Sequence, residues 1–119
     1  MFVIIFILLA YKNLGCWKDK TSPDRAFSHK MSEITNPIGI ISECLKLARD
    51  NRYTLFALQN GKHCYGGAGD VNYKIHGNSN NCNSEGTGGN WANQVYEIQG
   101  SRALKIFIYE YQIEDGTTK

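Results

Sequence analysis

The sequence predicts an α+β fold, in which a small disulfide-stapled antiparallel sheet is packed by one α-helix and followed by a long loop rich in glycine and asparagine. Three observations carry this prediction: a helical repeat of apolar residues in the middle of the chain, several short runs of strand-forming residues, and four cysteines among 119 residues. A chain of this length forms one domain with a thin core, which disulfides often supplement.

The first ten residues, MFVIIFILLA, form an uninterrupted apolar run. The run is too short to span a bilayer as a helix, which takes roughly 20 residues, so we expect no stable membrane span. Its length suits the apolar region of a secretory signal peptide, with Ala10 as the small residue before cleavage. No Lys or Arg precedes the run, and a mispredicted start or a first strand is the alternative. We assign residues 1–10 to a signal peptide and the protein to the extracellular space.

The first strand is predicted in the stretch that begins at Tyr11 and ends in charged residues, and the polar segment Thr21 to Ser32 is predicted to be a loop. A helix should then begin, because Asn36 can cap free backbone donors and Pro37 suits a first helical turn. Its apolar stripe consists of Ile40, Ile41, Cys44, Leu45 and Ala48. The helix should end near Asp50 and Asn51.

A β-hairpin is predicted next. YTLFALQ at residues 53–59 is rich in strand formers, and KHCYGG at residues 62–67 provides a return strand. Asn60 and Gly61 lie between them, and this dipeptide best supplies the two positive φ angles of a type I′ turn.

The region from Gly66 to Asn90 is poor in apolar side chains and is predicted to be a long surface loop, tied down by Cys82. Strand signals return in NQVYEI at residues 93–98 and in ALKIFIYEY at residues 103–111, before a polar tail.

Charge and motifs exclude several classes of function. The net charge is +2 with acids and bases interspersed, so no nucleic-acid surface is indicated. The glycines from Gly66 to Gly69 lack the Lys-Ser/Thr and the helix of a phosphate loop, and Asp70 with Asn72 is only part of a calcium loop. The three histidines are too scattered for a metal motif. We expect no metal, no cofactor and no enzymatic activity, because no catalytic motif occurs.

The four cysteines are Cys16, Cys44, Cys64 and Cys82. They stand singly and far apart, whereas zinc sites usually gather cysteines in close pairs. The spacing favours disulfides and an oxidising compartment over free thiols or a zinc site.

Several of these segments together resemble the WSC domain, an extracellular cysteine-rich module of fungal cell-surface stress sensors and Kremen-type receptors. The resemblance covers about Tyr11 to Ile98. It rests on LGCWKD at residues 14–19, the helix bearing Cys44, FALQNGKHCYGG at residues 56–67, Cys82, and the closing GG-x5-VYEI at residues 88–98.

The resemblance also implies a disulfide pairing. The chain is similar to a reduced variant of the family, in which Ala48 and Gly66 stand where the larger form has two cysteines bonded to each other. Another cysteine pair of the larger form, near the C-terminal glycine-rich segment, is also missing here, and both of its cysteines are absent together. The retained cysteines then correspond to the bridges Cys44–Cys64 and Cys16–Cys82.

The family implies a PAN/apple-like fold for residues 11–98. Residues 99–119 lie beyond the usual family boundary and contribute an extra C-terminal strand and a polar tail. The family also implies carbohydrate binding, which requires an aromatic face with neighbouring amides and hydroxyls. The candidate platforms are Trp17, Tyr65, Tyr73 and Trp91, and the candidate hydrogen-bonding partners are Asn72, Asn78, Asn80, Asn90 and Asn93.

Each candidate has a structural alternative. Trp17 and Trp91 flank the expected junction of the first and last strands and are better explained as core residues. Tyr65 and Tyr73 are expected to be exposed beside the long loop, and the asparagines also suit turns.

We therefore expect an extracellular module that binds a matrix or cell-wall glycan. The alternatives are a protein-interaction module, using the same face or the edge near Phe107 and Tyr109, and a structural fragment of a larger ectodomain. The sequence leaves the oligomeric state open.

Overall fold

The computed structural model describes residues 10–99. The signal-peptide prediction for residues 1–10 therefore falls almost wholly outside the described residues. The predicted strand ALKIFIYEY, with Phe107 and Tyr109, and the polar tail also lie outside them.

One antiparallel sheet of five strands forms the centre of the described part, with the spatial order β1-β5-β3-β4-β2. The elements, in chain order, are β1 (Ala10–Lys18), β2 (His29–Glu33), α1 (Ile40–Asp50), β3 (Leu55–Gln59), β4 (His63–Gly67) and β5 (Ala92–Gln99). All strand pairs are antiparallel. One helix on such a sheet confirms the predicted α+β class.

The helix covers one face of the sheet. The apolar stripe of α1 packs on alternate residues of the strands, which point to the same side because successive side chains of a strand alternate. The buried residues of this core are Ile40, Cys44, Leu45, Ala48, Phe56, Leu58, Cys64 and Tyr96. The stripe predicted from the sequence is thus the face that α1 buries.

A second core occupies the opposite face of the sheet. Its buried residues are Phe27, Leu55, Ala57, Tyr65 and Val95, and the half-buried Leu14, Trp17, Ala26, Val71 and Tyr73 pack against them. Residues from the segments at 19–28 and 68–91 supply the cover on this side, namely Ala26, Phe27, Val71 and Tyr73. All five residues of β3 are consequently buried, since the strand lies between two cores.

Two local predictions were wrong. The predicted loop from Thr21 to Ser32 overlaps β2, which pairs with β4 at the sheet edge. The helix begins at Ile40 and not at Asn36 and Pro37, because Gly39 precedes it in the left-handed conformation with a φ of 73°. The Asn36 side chain accepts a hydrogen bond from the Ile38 amide, so it stabilises a turn before the helix.

The hairpin prediction is confirmed. Asn60, Gly61 and Lys62 connect β3 to β4, and the first two have positive φ angles of 55° and 78°, as predicted for this dipeptide. The two disulfides are Cys16–Cys82, which ties β1 to the long segment after β4, and Cys44–Cys64, which ties α1 to β4. This is the pairing that the family resemblance implies.

We predict that the Cys16–Cys82 bridge contributes more stability than the Cys44–Cys64 bridge. The bridges span sequence separations of 66 and 20 residues, and a longer closed loop restricts the unfolded chain more strongly. The C16A/C82A variant should lose about 4 kcal/mol of unfolding free energy and C44A/C64A about 3 kcal/mol. Urea titration followed by circular dichroism measures both. Equal stability of C16A/C82A and the parent protein would contradict the prediction.

We also predict that stability decreases on acidification through His63. Burial, followed by the nearby positive charge of Lys30, lowers the pKa of His63 from its usual 6.5. The unfolded chain therefore binds a proton more readily than the folded chain does, and stability is lost as the pH falls below about 6.5.

Urea titrations at several values between pH 7.5 and 5 test this, and H63Q should have a flatter profile. The control is K46Q, which removes an exposed positive charge from α1 that does not act on His63, and it should keep the profile of the parent protein. Parallel profiles for H63Q and the parent protein would refute the prediction.

Candidate functional site

The candidate site lies on the sheet face opposite α1, where most of the sequence-predicted binding residues gather. Trp17 and Tyr73 pack against the second core, of which Tyr65 is a buried member. Trp91 immediately precedes β5, and the backbone oxygen of Trp91 accepts a hydrogen bond from the Asp19 amide. The site is therefore built on the segments that cover this face.

Asp19 lies beneath the site and holds the surrounding segments together through hydrogen bonds. Its side chain has no exposed surface, and its carboxylate accepts five hydrogen bonds. The backbone amides of Lys20 and Ala26 donate to Oδ1, each at 2.8 Å. The side chains of Arg25, Gln59 and Asn93 donate to Oδ2 at 3.1, 3.2 and 3.0 Å.

This network connects four parts of the chain. Asp19 follows β1, Arg25 lies in the next segment, and Gln59 and Asn93 are register partners on β3 and β5. The Gln59 side chain also donates to the Asn93 side chain at 2.9 Å. A buried charge is tolerated only when it is paired and hydrogen-bonded, and these contacts supply both.

The Arg25 side chain connects the Asp19 network to two aromatic rings. Its guanidinium is fixed by the ion pair with Asp19 and by donation from Nε to the Phe27 carbonyl oxygen at 3.0 Å. The guanidinium carbon lies 4.7 Å from the ring centre of Tyr65 and 5.8 Å from that of Trp91. Both distances are within the range of cation–π attraction.

Trp91 is exposed, so the prediction that it belongs to the core was wrong. The residue is 46% exposed and has a φ of 55°. A left-handed conformation is strained for a bulky side chain, and it persists only where the surroundings enforce it. Here the backbone bond to Asp19 and the guanidinium of Arg25 hold the residue in place.

Tyr65 is buried, so the prediction of its exposure was wrong. It is only 5% exposed, because the segments at residues 19–28 and 68–91 cover this face of β4 and Arg25 lies over its ring. Asn93, another sequence candidate, is fully buried in the Asp19 network. Neither side chain is open to a large ligand.

Trp17, Tyr73 and Lys74 form a second exposed feature, here called the aromatic patch. The rings of Trp17 and Tyr73 meet edge to face at 5.6 Å, and the Lys74 ammonium lies 5.4 Å from one ring centre and 5.6 Å from the other. Both rings are half-buried, so Trp17 packs on the second core and still keeps part of its surface accessible. Asn78 is joined to Trp17 by a backbone bridge, and Asn72 is exposed beside Tyr73.

Asp19 and Arg25 were not among the sequence candidates, although Asp19 closes the LGCWKD motif. In the sequence, an aspartate at the charged end of a strand is expected to be exposed, and only the pairing of the strands shows that Asp19 is buried.

In the part of the chain that the structure describes, no group of His, Cys, Asp and Glu side chains is arranged to hold a metal ion. Among residues 10–99, no helix has the length and apolar character needed to cross a membrane.

In the comparison with protein families, the model described as the WSC domain matches residues 13–94. The match includes all four cysteines and also Asp19, Arg25 and Trp91. No curated protein matches the chain.

We predict that Asp19→Ala destabilises the fold strongly. The change leaves the Arg25 guanidinium without its ion-pair partner, and the amides of Gln59 and Asn93 lose a shared acceptor. Removal of one partner from such a pair costs about 3–5 kcal/mol. Urea unfolding measures the loss, and Asp24→Ala, at an exposed position on the same segment, is the control. Equal stability of the two variants would show that the network contributes little.

Proposed function

Because this chain belongs to the WSC domain family, we propose that it is a secreted carbohydrate-binding module that recognises a matrix or cell-wall glycan. The single observation that carries the proposal is the exposed indole of Trp91, held in a strained backbone conformation above Arg25. Residues held in strained backbone conformations cluster at functional sites, so we assign the Trp91 ring to ligand binding.

The chemistry around Trp91 suits a sugar. A flat aromatic face packs on the apolar C–H face of a pyranose ring, while nearby amides exchange hydrogen bonds with its hydroxyls. Asn90 is exposed directly before Trp91. Fixing the ring in advance lowers the entropy lost on binding, since the protein does not have to order it.

The aromatic patch extends this surface. Trp17 and Tyr73 offer ring edges, and the exposed Asn72 and Asn78 offer amides beside them. Of the residues proposed from the sequence, Tyr65 is buried and supports the site from below through Arg25, and Asn93 is buried in the Asp19 network. The others are at least partly accessible. We propose Trp91 as the main platform and the aromatic patch as a secondary contact.

The family consists of binding and sensor domains rather than enzymes, and we propose that this chain has no catalytic activity and uses no cofactor. The family and the two disulfides indicate an extracellular or cell-surface location. We further propose that residues 1–10 direct secretion and that residues 11–98 form the domain, followed by an additional segment at residues 99–119.

We predict that Trp91→Gly abolishes most glycan binding and leaves the protein folded. Glycine adopts a positive φ without strain, so the variant removes the ring and keeps the turn. Loss of the stacking surface should weaken binding at least tenfold, which corresponds to about 1.4 kcal/mol.

A pull-down with a panel of insoluble polysaccharides identifies the polysaccharide that binds the protein. Calorimetry with a soluble oligosaccharide of that polysaccharide then measures the affinity of each variant. The control is Ile38→Ala, which removes an apolar side chain that is 85% exposed outside the site. A folded Trp91→Gly protein that binds as tightly as the parent would overturn the assignment of the platform. Failure of the parent protein to bind any polysaccharide in the panel would favour the protein-interaction alternative.

A further inference from the structure

A cleft of about 420 Å³ lies at the tip of the β3–β4 hairpin, where the segment at residues 80–89 folds against it. Its lining consists of Asn60, Gly61, Asn80, Asn81, Cys82, Asn83, Gly88 and Gly89. The volume is within the roughly 300–1,000 Å³ typical of small-molecule sites. None of these residues was proposed from the sequence as part of a cleft, because the hairpin turn and the loop are distant along the chain.

The walls of the cleft are firmly built. The amides of Asn60 and Gly61 donate to the backbone oxygens of Gly89 and Thr87 at 2.9 and 3.1 Å, which joins the hairpin turn to the loop. The Asn83 side chain accepts from the amides of Glu85 and Thr87, both at 3.0 Å. Cys82 anchors the same wall to β1 through its disulfide.

Gly88 and Gly89 allow this close approach. A Cβ atom at Gly88 would lie 2.1 Å from the Leu58 backbone oxygen, and one at Gly89 would lie 1.6 Å from the Asn81 backbone oxygen. No other residue fits at either position without displacing backbone. Gly88 and Gly89, the first two residues of the GG-x5-VYEI motif, therefore determine the shape of the cleft wall.

The lining is polar but uncharged, and part of its hydrogen-bonding capacity is unused. Asn81 donates to the Asn90 carbonyl oxygen at 2.8 Å, and Asn83 is satisfied within its own turn. The side-chain amides of Asn60 and Asn80, by contrast, make no hydrogen bond to any residue within the range 10–99. Each offers both a donor and an acceptor to whatever enters.

This chemistry selects among ligands. A divalent cation such as Ca²⁺ requires carboxylates for useful affinity, and the lining contains none. An anion would be drawn by Lys or Arg, which are equally absent from the lining. A sugar hydroxyl both donates and accepts, as a primary amide does, so a neutral saccharide matches the cleft best.

We propose that this cleft is a second saccharide subsite, in which Asn60 and Asn80 bind the hydroxyls of an uncharged glycan unit. The inference rests on the proposed carbohydrate-binding function and extends it from the Trp91 surface to the hairpin tip. It also names the ligand class, because a cleft without charged side chains favours neutral over acidic glycans.

The test is an NMR titration of the full chain with uncharged trisaccharides of glucose, mannose, galactose and N-acetylglucosamine. We expect shifts of the Gly61, Gly88 and Gly89 amide signals on addition of at least one trisaccharide. Asn80→Ala, which removes an exposed amide, should weaken the binding reported by these signals about three- to tenfold, as expected for one or two neutral hydrogen bonds. Asn60→Gly should act similarly, since glycine keeps the positive φ of the turn.

Asn36→Ala is the matched control, because it removes an exposed amide that lies before α1 and outside the cleft. Shifts confined to the Trp91 indole and its neighbours, with unchanged affinity in Asn80→Ala, would overturn the cleft subsite and leave the proposed function standing. Acidic trisaccharides are titrated in the same way, and shifts at the cleft with these alone would overturn the assignment to neutral glycans. If no saccharide moves any signal, the proposed function and this inference both fail.

Discussion

The buried carboxylate of Asp19 is the constraint on which the face opposite the helix depends. A charge without exposed surface is stable only if its partners surround it, and here they come from the end of β1, the following segment, β3 and β5. Apolar packing is non-directional, whereas five hydrogen bonds to one carboxylate require a specific arrangement of the donors. We infer that this polar group determines how the segment at residues 19–28 lies on the sheet.

The same constraint reaches the surface through Arg25. Because Asp19 fixes the guanidinium, Arg25 can support Tyr65 from one side and Trp91 from another, and the exposed indole gains a rigid base. The position of the ring is therefore determined by a residue that no ligand touches. This arrangement separates Trp91, the proposed recognition group, from Asp19, which positions it through Arg25, and it links an interior aspartate to the exposed surface.

The sequence was sufficient for the elements whose signals are local. The helical stripe on α1 and the Asn60-Gly61 turn follow from spacing and backbone preference alone. Tyr65 was misjudged because alternation along β4 shows which residues share a face, but it cannot show that a distant segment covers the second face. Gly39 and Asp19 illustrate the same limit, since a helix start and a buried charge depend on partners supplied by the folded chain. The role of the aromatic candidates stays a proposal, and only the packing shows which of their rings are exposed.

Placement of β3 at the centre of the sheet has a consequence for how the molecule opens. Strands flank it on both edges and a core covers each face, so its amides should exchange with solvent only when the whole domain unfolds. The loop part at residues 76–90, which contains no residue of either core, is instead held by polar contacts and by a covalent tether at Cys82. It can therefore lift from the sheet in a partial opening and still return to its place, with the bridge to β1 limiting how far it travels.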